Sequence, residues 1–264
     1  MSSRTRSQTI DNLESSYRAI EDLIGSLSDD EWSTQSLCPD WDARGVVGHL
    51  TAVEHALRGW RPTSVEDPLP FGAIAPFLTE SRAWSNDRFG REVRDVFAAR
   101  RAELAELSDE QFAAPCPTPV GPATYHRFMD IRVFDFWVHE RDITTPLGRP
   151  TDDGGPAAES ALDEVDGSIG YIVGKKIGLP EGMSIAFHVT GPAARDIYAR
   201  VDGRATRVDH LDDPSVEVTA DTLTFMQLAC GRIDPQGAID AGRITWTGDA
   251  EWGDKAARNL AFTM

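Results

Sequence analysis

The sequence is poor in cysteine and in positive charge, and it has no long apolar run. Three cysteines in 264 residues, Cys38, Cys116 and Cys230, are widely spaced and odd in number. They suggest neither a disulfide framework nor a zinc knuckle, and each is expected as a packed free thiol. Against 43 Asp and Glu stand 26 Lys and Arg, a net charge of −17. That balance argues against nucleic acid or an anionic membrane as the main partner, since either favours a basic face. No apolar run approaches the roughly 20 residues of a membrane span, and residues 1–10 are polar with no signal-peptide core, so a cytoplasmic protein is expected. Internal repeats and low-complexity tracts are also missing.

What remains is a globular composition, 41% hydrophobic and 26% charged, long enough to bury a sizeable core in one large domain or two smaller ones. Leu13, Tyr17, Ile20, Leu23, Ile24 and Leu27 recur at helical spacing and predict a first helix over residues 5–27. Ser28 and Glu31 have the spacing of a capping box. Asp42 is placed to cap a second helix over residues 43–60, on which Val46, His49, Leu50, Val53, Leu57 and Trp60 form one stripe. His49 is therefore expected in the core and His55, on the other side, in solvent. Residues 61–76 hold several prolines and read as a long loop. A third helix is expected over residues 79–107, and the prolines of 114–122 require extended chain before a fourth helix begins near Ala123.

That fourth helix carries the chemistry. Asp135 lies four residues before His139 and Asp142 three after it, so the three share one face with Ile131 and Val138. Charged groups on an apolar stripe need partners, because an unpaired buried charge is costly. Asp-x-x-x-His is on its own a common hydrogen-bonded pair, and His49 on its own a common core histidine. Together His49, Asp135 and His139 form a two-imidazole, one-carboxylate set that suits Zn²⁺ with a fourth position open for chemistry. Fe²⁺ or another divalent ion would accept the same set. Asp142 is a rival ligand, although an Asp near a helix end commonly meets solvent or an arginine such as Arg141.

After Ile143 the composition changes. Residues 146–156 are rich in proline, glycine and aspartate and mark a linker, giving a four-helix bundle over 1–150 and a small α+β domain over 151–264. In the second domain a helix over 157–176 leads to strands near 184–190, 196–202, 205–208 and 216–219. Asp221 then caps a helix to Cys230, and a strand over 242–247 precedes a closing helix over 250–261.

The segments Cys38-Pro39-Asp40-Trp41-Asp42-Ala43-Arg44-Gly45-Val46-Val47-Gly48-His49-Leu50 and Asp135-Phe136-Trp137-Val138-His139-Glu140-Arg141-Asp142-Ile143 resemble the two signature regions of the mycothiol-dependent maleylpyruvate isomerase family, within the DinB-like group of metal-binding bundles. The stretches from Val218 to Arg232 and from Ala241 to Asp249 resemble the sterol-carrier-like α+β module that follows such bundles. The resemblance implies metal-ligand roles for His49, Asp135 and His139, mycothiol as thiol cosubstrate, and a small electrophilic substrate for isomerisation or S-transfer. It also implies Arg232 as the group that meets a substrate carboxylate; an arginine at a helix end equally often satisfies backbone carbonyls. One departure stands out: the family's acidic-x-x-x-His pair resembles Glu-x-x-x-His in maleylpyruvate isomerase itself, whereas this chain has the shorter Asp135. A non-catalytic metal- or small-ligand-binding protein of the DinB-like group is the alternative.

Overall fold

A computed structural model describes residues 4–263. They divide into two compact units, one ending at Thr151 and the other beginning at Asp152.

The first unit is built on four long helices. α1 (Arg6–Ser26) starts with Thr5 and Gln8 in a reciprocal capping box. After the Ser28–Glu31 box and a 3-10 turn over Glu31–Ser33, α2 (Ala43–Leu57) opens on Asp42, whose carboxylate accepts from Gly45 N–H. It stops before the expected Trp60: Arg58 leaves helical geometry and Gly59 takes a φ of +69°, a conformation that favours glycine. The expected loop over 61–76 is only partly a loop, because a 3-10 turn over Pro70–Ala73 leads into α3 (Ile74–Ser81). The single helix expected over 79–107 is thus two. Ser85 caps α4 (Asn86–Glu106) by accepting from Arg88 N–H. The short α5 (Asp109–Phe112) precedes a hairpin of β1 (Pro115–Thr118) and β2 (Gly121–Thr124). Then α6 (Tyr125–Thr144) begins with Thr124 as its cap.

In the bundle α1 packs against α4 and α6, and α2 packs against the same two. Tyr17 stacks on Phe97 at 4.8 Å and meets Phe136 edge-on at 5.1 Å, closing an aromatic centre with Leu13, Ile20, Val46, Leu50, Val93 and Val133. Burying such side chains contributes about 1.5–3 kcal/mol each.

The second unit is α+β. α7 (Gly155–Tyr171) widens into a π-helical turn over Ile172–Ile177 rather than running on as α-helix to 176. β3 (Ser184–Thr190), β4 (Arg195–Asp202), β5 (Arg204–Val208) and β6 (Val216–Asp221) follow. Then come α8 (Thr222–Ala229), α9 (Pro235–Asp240), β7 (Ile244–Gly248) and α10 (Ala250–Arg258). The sheet order is β5-β4-β3-β6-β7, with β3 and β6 parallel and the other neighbours antiparallel. Phe187 on β3 pairs with Ile197 and Val218, and all three are buried in the core of this unit. α9 went unread in the sequence: it has six residues, too few for an apolar period. No described helix is long and apolar enough to cross a membrane.

Candidate metal centre

The site forms where α2, the loop before it and α6 meet. The cap at Asp42 fixes the start of α2 and sets His49 two turns in. The loop is held by its own polar groups: Ser36 Oγ donates to the Trp41 carbonyl at 2.6 Å, and Gln35 Nε2 to the Cys38 carbonyl at 2.8 Å. Leu37 N–H donates to the Asp142 carbonyl at 3.0 Å, which ties this loop to α6.

His49, Asp135 and His139 come together. His49 Nε2 is 3.2 Å from Asp135 Oδ2, and His139 Nε2 is 3.3 Å from Asp135 Oδ1. The two imidazole centroids are 5.0 Å apart, and one donor atom from each of the three residues lies within 4.8 Å of the others. Ligands at about 2.0–2.2 Å from a tetrahedral zinc stand roughly 3.3 Å from one another, so this spacing and this donor chemistry fit a divalent ion. His49 and Asp135 are 26% and 23% exposed at the side chain against 7% for His139, so the cluster is reachable from one side. The expectation that His49 lies in the core is therefore corrected: it sits at the edge, under Trp41, whose ring stacks on it at 5.0 Å. A cavity of about 540 Å³ adjoins it, lined in part by Trp41, Arg44, Gly45, Gly48 and Leu78. At Gly48 the lining is tight, since a Cβ there would meet the Leu78 side chain at 3.3 Å.

His55 is corrected as well. It is not a solvated histidine: its ring lies 4.9 Å from Phe77 on α3, a helix whose first residues were expected as loop, and its Nδ1 is buried without a partner among the described residues.

Asp142 and Cys38 also belong to the site. Asp142 is almost wholly buried rather than facing solvent; its Oδ2 lies 2.8 Å from His139 Nδ1 and accepts from Cys38 Sγ at 3.1 Å. Arg141 instead packs its guanidinium on Trp137 at 3.5 Å. Cys38, His139 and Asp142 thus form a second set of metal-capable groups, on the opposite nitrogen of the same imidazole.

Behind the cluster lies a buried charge network that the sequence reading missed. Arg132 donates from Nη1 to Asp135 Oδ2 and from Nε to Glu54 Oε1, the latter at 2.9 Å. Arg100 Nε and Tyr17 Oη donate to Glu54 Oε2 at 2.9 and 2.8 Å. A signal was present: Glu54 sits four residues after Leu50 and three before Leu57, on the apolar ridge of α2. Burial alone would raise the Asp135 carboxyl, but Arg132, His49 and His139 outweigh it and hold it well below the usual range. Burial would lower His139; Asp135, Asp142 and the Cys38 thiol outweigh that and hold it well above 6.5.

Arg232 lies in the second unit just past α8, where its Nη1 donates to the Cys230 carbonyl at 2.8 Å.

Residues 13–144 match the family model described as the mycothiol maleylpyruvate isomerase N-terminal domain, and residues 159–255 match that of the MDMPI C-terminal domain. Among solved structures, the crystal structure of the mycothiol-dependent maleylpyruvate isomerase is similar at 16% identity and a TM-score of 0.62, covering 94% of this chain and 95% of that one. A histidine-to-alanine mutant of that protein is similar at 15% identity and a TM-score of 0.63, with the same coverage. These two likenesses concern the fold. No curated protein sequence matches.

Proposed function

The chain belongs to the mycothiol maleylpyruvate isomerase family, and on that premise we propose that it is a metal-dependent enzyme using mycothiol as thiol cosubstrate. Its reaction is isomerisation of, or S-transfer to, a small electrophilic substrate. The observation that supports this reading is the convergence of His49, Asp135 and His139 from two helices, with spacing and donor types that suit a divalent ion, zinc first. When bound, such an ion lowers the pKa of a thiol at its open position and so supplies a thiolate at neutral pH. The protein's own groups prepare the place. Arg132 keeps Asp135 ionised, His49 and His139 offer Nε2, and Trp41 covers one face of His49. Arg232 is proposed to pair with a substrate carboxylate. Partners are then a small molecule and a low-molecular-weight thiol, with no part for nucleic acid.

Elemental analysis of the purified protein tests the premise. About one divalent ion per chain is expected in the parent and loss of it in His49→Ala and His139→Ala, after which mycothiol is titrated against the loaded protein. A parent that stays metal-free after incubation with zinc overturns the proposal. One observation favours a second reading, a non-catalytic protein: Arg132 already compensates Asp135, so the cluster is electrostatically stable as an ion-pair network. A loaded protein that takes no thiol at its metal would decide for that reading.

A further inference from the structure

We propose that Asp142 is a positioning residue for the metal centre: it takes the Nδ1 proton of His139 and thereby reserves Nε2 for the ion, while the Cys38 thiol donates to Asp142 and holds it in place. The inference rests on the metal reading above and adds residues to it that do not touch the ion.

A carboxylate only accepts hydrogen bonds, so a 2.8 Å contact between Asp142 Oδ2 and His139 Nδ1 requires the proton on Nδ1. With the Nδ1 proton committed to Asp142, Nε2 is the nitrogen left to give up its proton to an ion, and it faces Asp135 Oδ1 at 3.3 Å and, beyond it, His49. A ligating histidine that gives its other N–H to a carboxylate is fixed in tautomer and ring orientation and is a better donor. Burial strengthens the arrangement. Asp142, His139 and Cys38 are 1%, 5% and 8% exposed, so water does not compete for the Nδ1 bond.

Cys38 gives its thiol hydrogen to the same Oδ2 at 3.1 Å, and the neighbouring Leu37 N–H donates to the Asp142 backbone carbonyl at 3.0 Å. The loop is therefore fastened to α6 at two points of one residue. Three positions further on it carries Trp41 onto His49 at 5.0 Å. One short loop thus orients both imidazoles, one through Asp142 and one by stacking.

Cys38, His139 Nδ1 and Asp142 are also close enough to take an ion themselves. The 2.8 and 3.1 Å contacts within that set join each group directly to another, and the set is buried throughout, with no exposed edge like that of His49 and Asp135. The geometry points to the Nε2 side for the ion and the Nδ1 side for the orienting bond.

The experiment is zinc affinity, measured by competition with a chromophoric chelator, for the parent, Asp142→Asn, Asp142→Ala, Cys38→Ser, Cys38→Ala and Ile143→Val. Asp142→Asn and Asp142→Ala are expected to bind about 10- to 100-fold more weakly. Cys38→Ser keeps a donor and should stay close to the parent, with Cys38→Ala between the two groups. Ile143→Val trims the same turn without altering a polar group and should keep parental affinity, which separates positioning from loss of stability. Nitrogen-resolved NMR of the zinc-loaded parent should show the His139 proton on Nδ1. The cobalt-substituted parent should lack a thiolate-to-cobalt charge-transfer band. Parental affinity in both Asp142 variants, a proton on Nε2, or a thiolate band overturns this inference alone. A parent that binds no zinc overturns the metal reading and this inference with it.

Discussion

Glu54 and Arg132 form a 2.9 Å ion pair inside the bundle, and Glu54 is wholly enclosed. The pair joins the two helices that carry the candidate ligands: Glu54 lies five residues after His49 on α2, and Arg132 three before Asp135 on α6. Arg100 from α4 and Tyr17 from α1 complete it, so each of the four long helices contributes one group. The candidate metal cluster is therefore an outer layer on a charged core. Each ionised group in that core costs desolvation, which the others offset only while all are present.

Removing one member should therefore be costly. Glu54→Gln leaves two buried guanidinium groups short of their counter-ion and is expected to lower stability by about 3–5 kcal/mol near neutral pH. Burial raises the Glu54 carboxyl, but Arg132 and Arg100 outweigh it and hold it below its ordinary 4.5. A depressed folded-state pKa contributes stability that is complete above the unfolded-state value and disappears as pH falls through the folded one. The gap between parent and variant, measured by denaturant unfolding, should thus narrow on acidification below about 4.5. A gap that widens there would show that Glu54 is protonated in the native state.

The elements were legible where period and punctuation agree. The stripe of α1, the Asp42 cap and the proline tract before α6 all have strong local causes, and the structure follows them. The break at 82–85 was obscured because apolar residues continue on both sides of it, at Phe77 and Phe89, and only Ser85 signals the new start. Within the site, Asp135 and His139 were legible as an i, i+4 pair on one helix, and His49 was singled out by its stripe. The convergence of the two helices rested on family resemblance. Glu54 stands on the apolar ridge of α2, but its pairing with Arg100 and Arg132, 46 and 78 positions away, leaves no local mark that names the partners. Cys38 was read as inert packing for the same reason: its partners lie 101 and 104 residues away.

The correction at His55 has a measurable consequence. Its Nδ1 is buried with no partner among the described residues, and the ring lies against Phe77. Replacing an unsatisfied polar group by an apolar one of similar size is neutral or stabilising. His55→Leu is expected to leave stability unchanged or raise it by about 1 kcal/mol, with metal content equal to the parent. A loss above about 2 kcal/mol in thermal or denaturant unfolding would assign the imidazole a polar role in the fold.

Arg232 separates two roles by kinetics. As a substrate-carboxylate partner, its replacement removes a charge-assisted contact of about 1.5–3 kcal/mol, so Arg232→Ala should lower kcat/KM roughly 10- to 100-fold for an anionic substrate, acting mainly through KM. As a helix-end group bonded to the Cys230 carbonyl, its loss should reduce stability by about 1 kcal/mol and leave the kinetics unchanged. Steady-state measurements beside an unfolding curve distinguish the two.

Asp135 is one carbon shorter than the glutamate that the sequence resemblance leads one to expect. With a short side chain the carboxylate reaches both imidazoles, at 3.2 and 3.3 Å, and still meets Arg132 one turn back on its own helix. Asp135→Glu moves the carboxylate outward by about one bond length, toward the exposed edge and away from Arg132, so it exchanges an anchored ligand for a longer, looser one. Stoichiometric metal is expected to persist, since two imidazoles and a carboxylate remain. The preference should move toward ions that accept flexible oxygen ligands, such as Mn²⁺, at the expense of Zn²⁺. Competition between the two ions, read by elemental analysis of parent and variant, checks this. An unchanged ratio would mean that the position of the carboxylate does not set metal choice. Loss of all metal would mean that the Arg132 anchor is required to hold Asp135 as a ligand.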